Sequence, residues 1–473
     1  MTTTISDSSP PSEDEPSAVA APARPTAPKS TRATPWRAIG LLARRVHFIA
    51  GLLIAPFLVL LCLTGIAYVF SPQINDVLYS QQLFAEQSTG TAHPLSEQVG
   101  AALAAYPQDK LNSVVLPDDP SRTTQVVLSE AGLPSNGPFD TQMRTVYVDP
   151  YTGKVRGALI TDSGRPPAQQ WLRTFHANLN LGSWGQVYAE FVASWLPWIV
   201  LGGLVLWFQQ RRRKRAVRSL LLPPSGLPKG RPRLRGLHGA LGLWLAAGLL
   251  AVSITGLTWS TYAGANFTTA IDALHGTSPS LTAPKVMAPA GAWPIGLDRA
   301  LAVARQQGMS GQLTVTPPAS PSKPYKINES YQTLPVRVDS VAVDPYSGKV
   351  TGRVTWADYP LLAKLTSLGI QAHTGTLLGL PNEIAMALLA LGILTMIVLG
   401  YRMWWKRRPS GGRRAPAPPP VWRKMPVPVL LALIVVAAVV GRFLPVFGIT
   451  LVLFVLTDTV LNAVKRRRAA IAV

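Results

Sequence analysis

Val146-Tyr-Val-Asp-Pro-Tyr-Thr-Gly-Lys-Val155 returns in the second half of the chain as Val341-Ala-Val-Asp-Pro-Tyr-Ser-Gly-Lys-Val350. A match of this length and composition points to a duplicated unit. In each copy an alternating β-branched strand enters a tight turn: the Asp opens it, the Pro fixes φ, and the Gly can take positive φ. Each copy is therefore expected to form a strand–turn–strand hairpin. An Ala-rich helical stretch precedes each one, Leu95–Tyr106 and Ile295–Gln307, followed by a short strand, Ser113–Leu116 and Gln312–Thr316. Two small α+β modules are expected, each with one helix against an antiparallel sheet.

The duplication extends into the apolar runs on either side. These are Phe48–Phe70, Phe191–Phe208, Leu241–Trp259, Ile384–Met403, Val427–Gly441 and Phe443–Leu461. A spanning helix needs about 20 apolar residues. The fold class is thus a multi-pass α-helical membrane protein of about six transmembrane helices, the last two forming a tight hairpin interrupted only by Arg442. Counted from His47 and from His238, Gly51 matches Gly242, Ala55 matches Ala246, and Thr64-Gly65 matches Thr255-Gly256. Counted from His176 and from His373, Leu181-Gly182 matches Leu378-Gly379, Gly203 matches Gly400, and Trp207 matches Trp404. The core is a tandem repeat of helix, module, helix.

The net charge of +22 raises the possibility of nucleic-acid binding, and its placement argues against it. The basic residues cluster in short segments: Arg211 to Arg235 without an acid among them, Lys406 to Lys424, and Lys465 to Arg468. They flank apolar spans and lack interleaved aromatics. The positive-inside rule makes these segments cytoplasmic, with both termini inside and both modules outside. The expected order is a disordered cytoplasmic tail (1–36), a first span (37–71), an outer module (72–166), an interfacial helix with the second span (167–210), and a basic cytoplasmic loop (211–235). A third span (236–262), a second outer module (263–358), an interfacial helix with the fourth span (359–405), a linker (406–424), the hairpin (425–464) and a basic tail (465–473) complete it. The only cysteine, Cys62, lies inside the first run. That excludes an internal disulfide, a thiolate-held cluster and covalent haem attachment, so any haem is b-type.

His47, His176, His238 and His373 each stand at the start of one of the first four spans, at equivalent places of the repeat. Imidazoles at a membrane boundary are natural axial ligands for haem iron. His47 and His238 share the cytoplasmic depth and His176 and His373 the outer depth, which gives two cross-repeat pairs about an approximate two-fold axis. Two haem b groups are expected, bordered by the glycines at matching offsets. The plainer alternative is four interfacial histidines without a cofactor. His93 and His275 lack matching context and are expected to be solvated. His176 stands well ahead of the apolar run that opens at Phe191, with Gly182-Ser-Trp-Gly185 between them. That spacing predicts a separate interfacial helix, Trp171–Leu181, and an outer haem at or above the leaflet. Trp195, Trp198, Trp244 and Trp259 lie along the spans, where they could bridge a wide gap or simply pack.

Over residues 37–408 the chain resembles the PepSY-associated transmembrane family. The resemblance rests on the two Asp-Pro-Tyr-Thr/Ser-Gly-Lys hairpins, Arg45-Val-His47-Phe-Ile-Ala-Gly51, the two Thr-Gly pairs, and the His-x4-Leu-Gly elements at 176 and 373. It implies an iron-regulated protein of the bacterial cytoplasmic membrane, or a haem-containing reductase that frees iron from ferric siderophores outside it. Haem-ligand roles then fall on His47, His176, His238 and His373. The cytoplasmic segments are too short for a nucleotide domain, and no Gly-x-Gly-x-x-Gly follows a strand. The electron donor is therefore expected to be a membrane quinol or a cytosolic flavoprotein. The rival is a haem-free binding or regulatory protein whose modules take an envelope peptide, a protease or a chelate.

Overall fold

In the computed structural model, residues 2–3, 34–87, 89–137, 140–211, 221–222, 227–330, 336, 338–407, 418, 421 and 425–471 are described. Most of the 1–36 tail, much of the basic loop and nearly all of the 406–424 linker lie outside them.

Four long helices form the bundle: α1 (Pro35–Val69), α6 (Gly182–Arg211), α7 (Arg231–Leu257) and α11 (Leu380–Trp405). Each is long and apolar enough to cross a membrane, as is the Pro445–Lys465 stretch of the last helix, α13 (Pro445–Ile471). The sixth expected span, α12 (Val427–Phe443), is a shorter apolar helix of 17 residues. Proline is accommodated inside α1 at Pro56 and inside α6 at Pro197. Such breaks are tolerated where neighbouring helices re-satisfy the freed backbone groups. The helices close a ring in which α1 and α7 each touch both α6 and α11. Cys62 of α1, Leu196 and Val200 of α6, Ala246 and Leu249 of α7 and Ile393 of α11 fill its centre. Cys62 is thus a small apolar side chain in the packed core.

At one end of the bundle lies an antiparallel sheet. The first copy contributes β1 (Lys110–Leu116), β2 (Thr124–Ser129), β3 (Ser135–Gly137), β4 (Asp140–Val148) and β5 (Val155–Asp162). The second contributes β6 (Leu313–Thr316), β7 (Tyr325–Glu329), β8 (Ser340–Val343) and β9 (Val350–Val354). The order is β3-β4-β2-β1-β6-β7-β8-β9, with β5 on β4. The two copies therefore share one sheet, where the repeat in the sequence suggests two separate ones. They join where β1 pairs antiparallel with β6, Val114 opposite Val315, and both valines are fully buried. These strands hold the same place in their copies, and a strand that pairs antiparallel with its own counterpart implies a two-fold axis through the seam. Helices α4 (Leu95–Ala105) and α9 (Gly296–Gln306) pack into the same core, which spans both copies. Fully burying one Val contributes about 1.5–3 kcal/mol, so the seam is held by apolar burial as well as by its ladder.

The repeated turns match atom for atom. Asp149 Oδ1 accepts from the Tyr151 and Thr152 amides at 2.9 and 3.2 Å, and Asp344 Oδ1 from Tyr346 and Ser347 at 2.7 and 3.0 Å. Gly153 and Gly348 both take φ of +69°, which a side chain would strain.

Short helices connect the layers. α5 (Pro167–Asn178) and α10 (Leu361–Thr374) run from the sheet into α6 and α11, while α2 (Ser71–Leu78), α3 (Ser80–Leu83) and α8 (Tyr262–Ala273) follow α1 and α7. The terminal pair, α12 and α13 (Pro445–Ile471), turns with Gly441 against Gly448 and seats Phe447 on Trp195 and Trp198 of α6.

Candidate functional site

The four histidines are held in one way, executed twice. His47 of α1 bonds through Nδ1 to the Ile199 carbonyl of α6 at 2.7 Å, and His238 of α7 to the Met396 carbonyl of α11 at 3.0 Å. A carbonyl can only accept, so Nδ1 carries the proton in both rings. At the sheet end, His176 Nδ1 meets Thr64 Oγ1 at 2.9 Å, and His373 Nδ1 meets Thr255 Oγ1 at 2.8 Å. Each hydroxyl has one hydrogen and commits it to its own helix: Thr64 donates towards the Leu60 and Leu61 carbonyls, and Thr255 to that of Ala251 at 2.7 Å. Towards the imidazole the oxygen accepts, and again Nδ1 donates. In all four rings the proton of the neutral imidazole is thereby fixed on Nδ1, which leaves the Nε2 lone pair over, the form in which imidazole binds a metal.

Glycines let the rings come close. A Cβ at Gly203 would lie 3.1 Å from His47 Cε1, and one at Gly65 3.1 Å from His176 Cε1. At Gly256 and Gly400 the distances to His373 and His238 are 3.4 and 3.8 Å. These four glycines make room for the imidazoles themselves. Clearance beside the rings comes from Gly51, which has nothing within 4 Å, whereas a Cβ at Gly242 would meet the Met396 side chain at 2.9 Å; both glycines line a cavity.

That cavity has a volume of about 690 Å³, within the roughly 300–1,000 Å³ of ordinary ligand sites. His47 and His238 face into it from diagonal helices, and Trp207 and Trp404 border it. The two imidazole centroids are 6.1 Å apart, with the ring planes at 84°. Two imidazoles that share one metal at about 2 Å each have centroids about 6 Å apart, whatever the twist between their planes. The spacing, the tautomers and the largely apolar walls fit a bis-imidazole haem. Among the described residues, no three His, Cys, Asp or Glu side chains cluster.

The second pair stands where α5 and α10 dock onto α1 and α7. Burial pushes the His176 imidazole down to about 4, and the neighbouring His373 ring adds to the effect. Burial likewise pushes His373 down to about 4. Tyr68 lies parallel to His176, with centroids 6.3 Å apart. The interfacial helix is present as α5, and it folds back so that His176 reaches Thr64 inside the α1 helix. The helical stretches from His47 to Thr64 and from His238 to Thr255 are equal in length and rise by about 25 Å. Both pairs therefore fall within one helix length, a smaller gap than the sequence spacing of His176 suggests.

The tryptophans do not bridge that gap. Trp195 donates to Thr450 of α13 at 2.9 Å, and Trp198 stacks on Phe447. Trp244 and Trp259 are exposed. Glu190, fully buried, accepts from the Tyr262 and Ala263 amides at the start of α8. Glu383 lies in the first turn of α11 and accepts from Gln73 at 2.7 Å. Both act as helix N-terminal carboxylates. His93 is exposed beside Glu97, and His275 is exposed in a left-handed backbone conformation. The Thr64 and Thr255 hydroxyls are the functional groups that the sequence offers without naming their part. Their signal is a Thr-Gly pair that recurs at the same offset from a histidine in both repeats.

A family model described as the PepSY-associated TM region matches residues 44–407, a stretch that runs from the turn before His47 to the end of α11. No curated protein matches the chain.

Proposed function

We propose that this chain, which belongs to the PepSY-associated transmembrane family, is a di-haem b electron-transfer protein of the bacterial cytoplasmic membrane. One haem is assigned to His47 and His238 and the other to His176 and His373. The electron acceptor is an external ferric chelate, a siderophore. The observation that carries the reading is the tethering of all four imidazoles through Nδ1, in two matched pairs, with Nε2 spare. Histidines that merely decorate helix ends have no need of a fixed tautomer repeated at equal offsets.

When bound, haem supplies a one-electron couple inside the bilayer. The chain's own residues do the rest. The Ile199 and Met396 carbonyls and the Thr64 and Thr255 hydroxyls orient the rings and raise their basicity. The apolar walls of α1, α6, α7 and α11 keep water from the site nearer the basic segments. By the positive-inside rule that end faces the cytoplasm and the sheet faces outward. The donor is a membrane quinol or a cytosolic flavoprotein. Ferric iron takes one electron and becomes ferrous, which hard oxygen ligands hold far less tightly, so the chelate lets go.

The test is the absorption spectrum of the full chain purified from cells supplied with haem. A low-spin bis-histidine spectrum that changes on dithionite, with two haems per chain, is expected. His238→Ala is expected to remove one haem and leave the other, and His176→Ala to do the converse. Ferric-chelate reduction by the dithionite-reduced protein should follow. A colourless preparation overturns the reading in favour of a haem-free binding module.

A further inference from the structure

The cavity that holds His47 and His238 has largely apolar walls and a cluster of cations at one end of the bundle. Arg44 and Arg235 both line it, and each stands three residues before its histidine. On a helix that spacing keeps two residues on one face, a turn apart, so arginine and imidazole address the same space from both repeats. Arg37, Arg231 and Arg407 complete the rim. None of these five makes an ion pair with a carboxylate among the described residues. By contrast Arg45, next in sequence to Arg44, is turned away and paired with Asp458. Burial and the nearby Arg44 and Arg231 guanidiniums push Arg407 below its usual range. Like charges gathered without a counterion destabilise one another unless an anion joins them.

A retention signal for topology requires only that cations flank the spans. It does not require that they gather at one end of an apolar chamber into which two metal-ready imidazoles face one helical turn further along. The chamber selects an amphiphile: a flat apolar body with anionic groups at one edge. We propose that Arg44 and Arg235, joined by Arg407, bind the two carboxylates of the porphyrin seated between His47 and His238. This rests on the haem reading above and adds to it a direction of insertion, carboxylate edge towards the basic end of the bundle. Guanidinium suits the task because its planar fork meets a carboxylate through two donors at once.

The experiment compares haemin with its dimethyl ester, which keeps the ring and the iron and removes both charges. The haem-free full chain is titrated with each, and the Soret band is followed. The wild type should hold haemin more tightly than the ester by about tenfold or more, the loss expected when charged hydrogen bonds are removed. In Arg44→Gln/Arg235→Gln and in the triple variant with Arg407→Gln, haemin affinity at one of the two sites should fall towards that of the ester. The ester's affinity and the bis-histidine band position should stay unchanged. The midpoint potential of that haem should drop, since cations near the iron favour the electron-rich state. Equal affinity of the wild type for haemin and ester, with bis-histidine spectra from both, overturns the arginine assignment and leaves the haem reading standing. Unchanged haemin preference in the arginine variants does the same. Failure of haemin and ester alike to bind overturns both.

Discussion

The two halves of the bundle hold their histidines in the same way and differ in almost everything that surrounds the C-terminal hairpin. In the first half, Arg45 of α1 is buried and paired with Asp458 of α13, and Trp195 of α6 donates to Thr450. At the same offsets the second half has Gly236 and Gly392, and a Cβ on Gly392 would run into Leu245. The ion pair and the indole bond that clamp the hairpin to the spanning helices are therefore made by the first half only, while the second half reaches the hairpin at its turn, where Asn266 of α8 donates to the Phe443 carbonyl at 2.9 Å. What the duplication kept in both copies is the imidazole, its Nδ1 partner and its glycine; what diverged is the clamp. The difference separates the residues that serve the site from those that hold an added element against it.

The sharpest way to break the comparison is Arg45→Ala. It takes the guanidinium away from Asp458 inside a span, and removing one member of a buried pair costs about 3–5 kcal/mol. The melting temperature in detergent should fall steeply, and protease should reach the hairpin. Arg45→Ala combined with Asp458→Ala should recover most of the loss, and a double variant as weak as the single would show that the pair is not the clamp. Next in size are Thr64→Val and Thr255→Val. Each removes the acceptor for a ring Nδ1–H, and loss of such a supporting group lowers metal affinity by about 10–100-fold. The two should weaken the same haem equally in a Soret titration, and a large inequality would end the claim of equivalence between the halves.

A finer probe is Gly203→Ala against Gly400→Ala. The added methyl meets His47 at 3.1 Å but His238 at 3.8 Å, so the first should cost about 1 kcal/mol or more by overpacking and the second much less. Thermal shifts of the two variants read the contrast, and equal shifts would mean that the two rings sit alike. Smallest is Trp195→Phe, which keeps the packing on Phe447 and deletes one hydrogen bond, about 0.5–1.5 kcal/mol. Its effect should disappear in a chain that already carries Arg45→Ala and Asp458→Ala if the hairpin has released.

Much of this is legible in the residues because the signals are local or periodic. Apolar runs mark the spans, and the Asp-Pro-Tyr-Thr/Ser-Gly turn dictates its hairpin through its own backbone. Equal offsets from the histidines carry the duplication into the helices, and with it the pairing of His47 with His238. What is not legible depends on surfaces meeting across long stretches of chain. The seam of Val114 with Val315 looks in sequence like two ordinary strand interiors, so two separate modules are the natural expectation where one sheet exists. The return of α5 onto α1 cannot be read from the segment between His176 and Phe191, whose length fits a helix lying flat on the surface equally well. Thr64 and Thr255 are visible as repeated residues, but their task depends on a hydroxyl whose single hydrogen is already spent on its own helix.

The helical stretch between His47 and Thr64 forms a ruler. Because Thr64 holds His176, the vertical distance between the two histidine pairs is fixed by helical rise and is duplicated on the rail from His238 to Thr255. A thicker or thinner bilayer can tilt the bundle or pinch the lipids around it, but it cannot stretch that interval. One inserted residue anywhere along the rail would turn the far end by about 100° and swing the hydroxyl off its imidazole.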